Sequence, residues 1–171
     1  DPICNDGSSL DLTTLQVENV PGTFTISDTP MGATNLPQIT GSTFQAANAD
    51  PGEYEITFEV GITPPVGCPL TNTLTIEVSN QLDAGLAGAP AEVCLGEMTQ
   101  ITLEDLLQDA DPGGIWTESS VTPSTGNAFD AVNGLFNPGS QNAGTYTFDY
   151  TVTPDAPCVP DVATVTVIIH A

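Results

Sequence analysis

The sequence contains no lysine and no arginine, although it carries 22 aspartate and glutamate residues and a net charge of −22. An ordinary soluble chain has about a quarter charged residues of both signs. Nucleic acids and anionic membranes are bound through lysine and arginine, so the composition excludes both as partners. Lysine–asparagine crosslinks are impossible for the same reason. We expect a uniformly negative surface that keeps molecules apart at low salt and attracts cations.

Candidate catalytic groups are also scarce. A serine or cysteine nucleophile needs a base, and the sole histidine, His170, lies at the end of a predicted strand, where we expect it to face solvent. No run of 18 apolar residues is present, so no membrane-spanning helix is predicted. We therefore predict no enzyme activity, no cofactor and no membrane insertion.

The sequence does contain one set of marks, namely cysteines, aromatic residues and short glycine-containing motifs, that occurs twice, about ninety residues apart. The marks of the first copy are Cys4, Gly22-Thr23-Phe24-Thr25, Phe44, Gly52-Glu53-Tyr54 and Cys68. Those of the second copy are Cys94, Gly114-Ile115-Trp116-Thr117, Phe136, Gly144-Thr145-Tyr146 and Cys158. This duplication predicts two tandem domains, residues 1–80 and 81–171, joined by a linker over residues 79–90. Arrays of one module usually serve assembly and adhesion.

Period-two alternation predicts that both domains consist of strands. Tyr146, Phe148 and Tyr150 alternate with polar residues, and Tyr54 and Ile56 do the same in the first copy. With proline and glycine between such segments, each domain has about six or seven strands, the number typical of a β-sandwich. Only residues 103–108 indicate a helical turn.

Four aromatic residues point to a particular sandwich. Tyr54 and Tyr146 each follow a glycine at the start of a strand, as in the tyrosine corner of immunoglobulin-type domains. Phe24 and Trp116 take the place of the aromatic residue that packs across such a core. We therefore predict an all-β protein with two tandem immunoglobulin-like β-sandwich domains. The residues two positions after the tyrosines are not cysteines, so the usual inter-sheet disulfide is absent.

The four cysteines are spaced equally, with 64 residues from the first to the second cysteine of each copy. Of the three possible pairings, this spacing favours Cys4 with Cys68 and Cys94 with Cys158. A zinc site is the alternative, but zinc ligands occur in closely spaced pairs. Disulfides indicate an oxidising, extracellular location.

Several acidic residues could form a weak calcium site. The carboxylates that could serve are those of Asp83, Glu104, Asp105, Asp109 and Asp111. Calcium prefers such oxygen ligands, but the regular spacing of a calcium-binding loop is missing. Diffuse calcium binding is the alternative.

Several phrases of the second copy resemble the Ig-like repeats of very large Bacteroidota surface proteins. These phrases are Val93-Cys94-Leu95-Gly96, Gly134-Leu135-Phe136-Asn137-Pro138 and Ala143-Gly144-Thr145-Tyr146-Thr147. The first copy matches more loosely. The resemblance implies export by the type IX system and display in long arrays used for adhesion, gliding or capture. It does not name a ligand.

We therefore predict a structural stalk or fibre module of a surface adhesin or motility appendage, whose partners are neighbouring repeats of the same protein. The second copy has a lead-in before its first cysteine that the first copy lacks, so we expect the chain to belong to a longer array. Two alternatives stay open: recognition of a glycan or protein through tip loops, and self-association as a homo-oligomer or filament. Nearly all ten aromatic residues occupy predicted core positions, which disfavours aromatic-based recognition.

Overall fold

The predicted alternating segments are strands in the structure, a computed structural model that describes residues 2–16, 20–61 and 71–171. In the longest hairpin, Tyr146, Phe148 and Tyr150 are all at most 6% exposed. The residues between them point to the other face of the sheet and are more exposed. Burial on every second position is what a strand requires when one face covers a core.

The chain divides into two compact units. Unit 1 comprises Asp1–Gln81 together with Pro154–Val159, and unit 2 comprises Leu82–Thr153 together with Pro160–Ala171. The division near residue 81 lies beside the predicted boundary. The transfer of residues 154–159 to unit 1 was not predicted, because a local sequence pattern does not show which core a loop packs against.

Unit 1 contains two sheets and a short 3₁₀ helix at Leu12–Leu15. Its strands are β1 (Pro2–Cys4), β2 (Ser9–Asp11), β3 (Gly22–Asp28), β4 (Gln38–Thr40), β5 (Thr43–Gln45), β6 (Gly52–Val60) and β7 (Thr71–Ser79). The larger sheet has the order β1-β7-β6-β3, and the smaller has the order β2-β5-β4. β1 pairs with β7 in parallel, and the other pairs are antiparallel.

Unit 2 contains 3₁₀ helices at Leu103–Leu106 and Pro138–Ser140. Its strands are β8 (Leu86–Ala87), β9 (Ala91–Cys94), β10 (Ile101–Thr102), β11 (Leu107–Gln108), β12 (Ile115–Glu118), β13 (Phe129–Asp130), β14 (Leu135–Phe136), β15 (Gly144–Val152) and β16 (Asp161–His170). The larger sheets have the orders β9-β16-β15-β12 and β10-β14-β13, and β8 pairs with β11.

The two units share one topology. In each, the strand that ends at the first cysteine, β1 or β9, runs parallel to the last strand, and the last two strands form an antiparallel hairpin. A three-stranded antiparallel sheet is the second layer, and unit 2 has the short β8–β11 pair in addition. Two packed sheets with these connections make the immunoglobulin-like sandwich. The prediction of an all-β chain with two such domains in tandem is confirmed.

Both cores are closed by a leucine on a 3₁₀ helix. Leu12 and Leu103 begin equivalent helices, and both are fully buried. The helical turn predicted for residues 103–108 is therefore a 3₁₀ helix over the first four of them. Its partner in unit 1 was not predicted, because Thr13 and Thr14 there disfavour a helix while Asp11 stabilises it by accepting a hydrogen bond from the amide of Thr13 at 3.0 Å.

The predicted linker is largely part of the folded units. Ser79 is the last residue of β7, Ala84 is fully buried in the core of unit 2, and β8 pairs with β11. Small apolar residues gave the segment the composition of a linker, but alanine is also suited to a crowded core position.

Candidate functional site

The disulfide of unit 1 joins Cys4 to Cys158, whose Cα atoms are 5.1 Å apart. Cys94 is unpaired and exposed, and Cys68 lies outside the described residues. The predicted pairings Cys4–Cys68 and Cys94–Cys158 are therefore wrong. Equal spacing shows that cysteines occupy equivalent places in two copies, and such places allow pairing between successive copies as well as within each copy.

The segment Pro154–Val159 carries Cys158 into unit 1 and is held there by hydrogen bonds. Ser79 Oγ donates to the carbonyl of Ala156 at 3.2 Å. Gln81 donates from Nε2 to the carbonyl of Val159 at 2.8 Å and accepts from the amide of Val159 at 3.3 Å. Both disulfide cysteines are buried, with 2% exposure for Cys4 and 8% for Cys158. The segment is thus an integral part of this unit.

Both predicted tyrosines form a tyrosine corner. The hydroxyl of Tyr54 donates to the carbonyl of Asp50 at 2.7 Å, and that of Tyr146 donates to the carbonyl of Asn142 at 3.1 Å. Both side chains are at most 5% exposed. Burial raises the pKa of Tyr54, and the charge of Asp50 adds to the rise. The bond satisfies a hydroxyl that would otherwise be buried without a partner.

The strand aromatic residues pack against the neighbouring strand. Trp116 is 6% exposed and its ring centroid lies 4.9 Å from that of Tyr150. Phe24 is half-buried and lies 4.8 Å from Phe58 in the same way. These pairs connect the edge strand of each larger sheet to the strand beside it.

The structure reveals a glycine requirement that sequence reasoning missed. A Cβ atom on Gly114 would lie 2.4 Å from the ring of Tyr150, and one on Gly22 would lie 2.3 Å from the ring of Phe58. The Tyr150 hydroxyl also accepts from the amide of Gly114 and donates to the carbonyl of Asp111, both at 2.8 Å. The recurrence of Gly two positions before each aromatic residue was the available signal.

A carboxylate organises the loop before β6. Asp50 accepts hydrogen bonds from the amides of Thr34 and Asn35 at 2.6 and 3.1 Å, and from the Asn35 side chain at 3.1 Å. These bonds, led by those from the two backbone amides, lower the pKa of Asp50 to about 2. The same residue supplies the carbonyl of the tyrosine corner, so its side chain and backbone together fix this turn.

The calcium candidates are only partly brought together. Asp83 and Asp111 are neighbours, because the amide of Asp83 donates to the Asp111 carboxylate at 2.8 Å and the amide of Asp111 donates to the Asp83 carbonyl at 2.8 Å. Glu104 and Asp105 lie exposed on a 3₁₀ helix, and Asp109 occupies a left-handed turn. Within the described part of the chain, no three His, Cys, Asp or Glu residues are grouped so that they could hold a metal ion. Calcium binding stays a prediction.

His170 contacts a single acidic residue. Its Nε2 lies 3.2 Å from the Glu92 carboxylate, on the neighbouring strand β9, and both side chains are more than half exposed. Exposed pairs of this kind contribute little to stability.

Over the described residues, no helix is long and apolar enough to cross a membrane.

No known protein family matches this sequence, and no curated protein matches it. Among solved structures, it is similar to the I-band fragment I67–I69 from titin, with 11% identity and a TM-score of 0.45. It is similar to the same degree to the three-Ig structure of titin domains I67–I69 carrying an E-to-A mutation. Both matches cover 100% of this chain and 62% of the titin chain, so this chain spans less than two thirds of their length.

Proposed function

We propose that the chain is a structural spacer module of an extracellular array, with a mechanical and positional role. The observation that carries this proposal is the duplicated architecture, in which two sandwiches follow each other in one chain and share the strand order of their four-stranded and three-stranded sheets. Repeated modules of one kind increase length and reach, because each added copy extends the array without requiring a new fold.

The disulfide supports an extracellular location. Structural disulfides form and persist in oxidising compartments, and the bond between Cys4 and Cys158 is buried as a structural disulfide should be. The bond links positions 154 residues apart, so in the chain-entropy account it raises the free energy of the unfolded chain by about 5 kcal/mol. Such covalent support suits a module exposed to mechanical load and to proteases.

The charge supports a spacer that stays apart from its neighbours. With 22 acidic residues and neither lysine nor arginine, the module surfaces repel each other at low salt. Lateral association into a filament would require screening by salt or bridging by cations. The sequence also offers no cationic side chain that could grip a phosphate or stabilise an oxyanion, so catalysis is not part of the proposal.

The finer proposal is a Bacteroidota surface protein exported by the type IX system, acting in adhesion, gliding or capture. It is supported by the sequence phrases that resemble such repeats, above all Gly134-Leu135-Phe136-Asn137-Pro138. In the structure this phrase spans β14 and the start of a 3₁₀ helix, and it places the buried Phe136 in the core. The phrase therefore contributes to the core of unit 2.

An exchange experiment in the full-length protein tests the spacer role. Replacing this segment by two unrelated rigid Ig-like domains of equal length should preserve attachment or motility, whereas deleting it should shorten reach. Export and surface display are measured in parallel by antibody labelling. If the exchange abolishes attachment while display and length remain intact, the loops of this segment carry recognition and the spacer proposal fails.

Recognition of a glycan or protein through tip loops is the second candidate. Three loop side chains, Met31, Val121 and Val132, are more than 90% exposed and could contact a partner. They belong to separate loops, and isolated exposed apolar residues are common on protein surfaces. Substituting each of them by serine should leave attachment unchanged if the segment is a spacer.

A further inference from the structure

The first cysteine of each repeat occupies the same place in the sandwich. Cys4 ends β1 opposite Ser79 at the end of β7, and Cys94 ends β9 opposite His170 at the end of β16. The next residue then extends the parallel pairing in both units. The amide of Asn5 donates to the carbonyl of Ser79 at 3.0 Å, and that of Leu95 donates to the carbonyl of His170 at 2.8 Å.

The two cysteines nevertheless have opposite surroundings. Cys4 is 2% exposed because Pro154–Val159 covers it and supplies Cys158. Cys94 is exposed, and two apolar side chains near it, Leu95 and Met98, are 54% and 73% exposed. Among the described residues, no segment takes the corresponding place in unit 2.

The segment that covers Cys4 comes from the second repeat. Residues 154–159 connect β15 to β16, so they are the hairpin loop of the second repeat, yet they complete the core edge of unit 1. The first repeat is therefore completed by the loop of the repeat that follows it. If the second repeat is completed in the same way, its first cysteine is covered by the hairpin loop of another repeat.

We propose that Cys94 receives the hairpin loop of a further repeat joined in tandem and forms a disulfide with the cysteine at that loop's Cys158 position. The bond at Cys4 is the internal precedent, since the same strand-end cysteine is paired there with such a loop. Leu95 and Met98 then become covered by the incoming loop. This inference deepens the array proposal, and it would make the array a continuous series of disulfides between successive repeats.

The bond forms by thiol–disulfide exchange with a small disulfide such as oxidised glutathione. The Cys94 thiolate attacks one glutathione sulfur and releases a glutathione thiolate, leaving a mixed disulfide. The incoming cysteine thiolate then attacks the Cys94 sulfur and releases the second glutathione. Each protein thiol gives up one proton, and the two electrons remain on two reduced glutathione molecules.

An extended chain tests the pairing. A second copy of residues 81–171 is appended after Ala171, so that Gln81 of the added copy follows as it follows Asn80 in the original chain. The protein is folded in a glutathione buffer and digested without reduction by a protease that cleaves at acidic residues, because trypsin has no cleavage site. Mass spectrometry should find Cys94 linked to Cys158 of the added copy, and maleimide labelling of Cys94 should be lost.

Matched variants separate this contact from chance oxidation. Cys94→Ser should leave the added loop cysteine open to labelling, while the Cys4–Cys158 link in the same digest shows that the native contact has formed. Moving the thiol nearby with Cys94→Ser combined with Glu97→Cys should not restore the bond. In the extended chain, a Cys94 that stays reactive beside an intact Cys4–Cys158 link, or that pairs only with Cys94 of another molecule, overturns the proposal.

Should the extended chain not fold, the unmodified chain provides a second measurement. In the sequence, Cys68 is the first-repeat counterpart of Cys158, so concentrated protein in high salt and glutathione should give oligomers that link Cys94 to Cys68. Symmetric Cys94–Cys94 dimers alone, or the absence of oligomers, overturn the proposal. These results are independent of the exchange experiment, which can succeed even if Cys94 never pairs.

Discussion

Units 1 and 2 have one topology but are stabilised by different means. Among the described residues, the main hydrophobic cluster of unit 1 contains two buried aromatic side chains, Phe44 and Tyr54, whereas that of unit 2 contains five, namely Trp116, Phe136, Tyr146, Phe148 and Tyr150. Unit 2 packs Phe148 between Phe129 and Phe136, with ring centroids 4.9 Å apart in both contacts. Unit 1 has Ile56 at the position of Phe148 but also has the disulfide. An immunoglobulin-like fold therefore tolerates a less aromatic core when a covalent bond limits the unfolded chain.

Removing the disulfide should produce the largest effect. Cys158→Ser should destabilise unit 1 by about 2–5 kcal/mol, while the core of unit 2 changes little. Unfolding in urea is followed by circular dichroism for both units and by the fluorescence of Trp116, the sole tryptophan, for unit 2 alone. Cys94→Ser is the control and should shift neither signal. Equal losses in both signals would contradict the distinction between the units.

Adding a methyl group at the glycine that lies against an aromatic ring of the neighbouring strand should have the next largest effect. Gly114→Ala forces the ring of Tyr150 to move and should cost about 1–3 kcal/mol in unit 2. Gly22→Ala should cost a similar amount in unit 1, because the carbonyl of Glu59 adds a second close approach at 2.3 Å. Gly88→Ala, where the nearest atom is 3.4 Å away, is the control. A Gly114→Ala protein as stable as this control would show that the ring can move freely.

The two tyrosine corners should contribute equally. Tyr54→Phe and Tyr146→Phe each remove one hydroxyl bond without changing the packed ring and should each cost about 1 kcal/mol. The free energy of unfolding of each variant is measured by urea titration with both signals. A loss in only one unit would show that the corners have diverged in role despite their common geometry.

The corner of unit 1 should add a pH dependence that the corner of unit 2 lacks. The pKa of Asp50 is lowered to about 2, whereas the equivalent residue is Asn142, which does not titrate. A carboxylate whose pKa is lower in the folded state than in the unfolded state stabilises the fold above a pH of about 4, the unfolded value. This stabilisation is lost as the pH falls towards 2. Asp50→Asn should therefore reduce the acid sensitivity of unit 1 between these values, as followed by circular dichroism. An unchanged acid transition would contradict this role for the carboxylate.

Calcium should have the smallest effect and is specific to unit 2 if it binds at Asp83 and Asp111. Low-millimolar calcium should then raise the Trp116 unfolding midpoint more than sodium at equal ionic strength. Asp83→Asn, which keeps an acceptor for the amide of Gly85, should remove the excess. Equal shifts with both salts would leave only screening of the negative charge.

Local patterns were sufficient for the parts of the fold that depend on local physics. Alternation located the hairpin strands, because a strand turns successive side chains to opposite faces. Glycine followed two positions later by tyrosine located both corners. The 3₁₀ helix at Leu12–Leu15 escaped prediction, because Thr13 and Thr14 disfavour a helix, whereas the acidic residues of its counterpart at Leu103–Leu106 indicated one.

The sequence by itself determined the all-β class, the duplication and the absence of any cationic grip, because composition and periodicity do not depend on how distant segments meet. The tertiary structure alone decided which cysteines pair. Cys68 and Cys158 stand in the same relation to the marks of their own repeats, so spacing favoured pairing within each copy. Only the packing of residues 154–159 into unit 1 brings Cys158 within bonding distance of Cys4, and that packing arises from contacts between residues more than seventy positions apart.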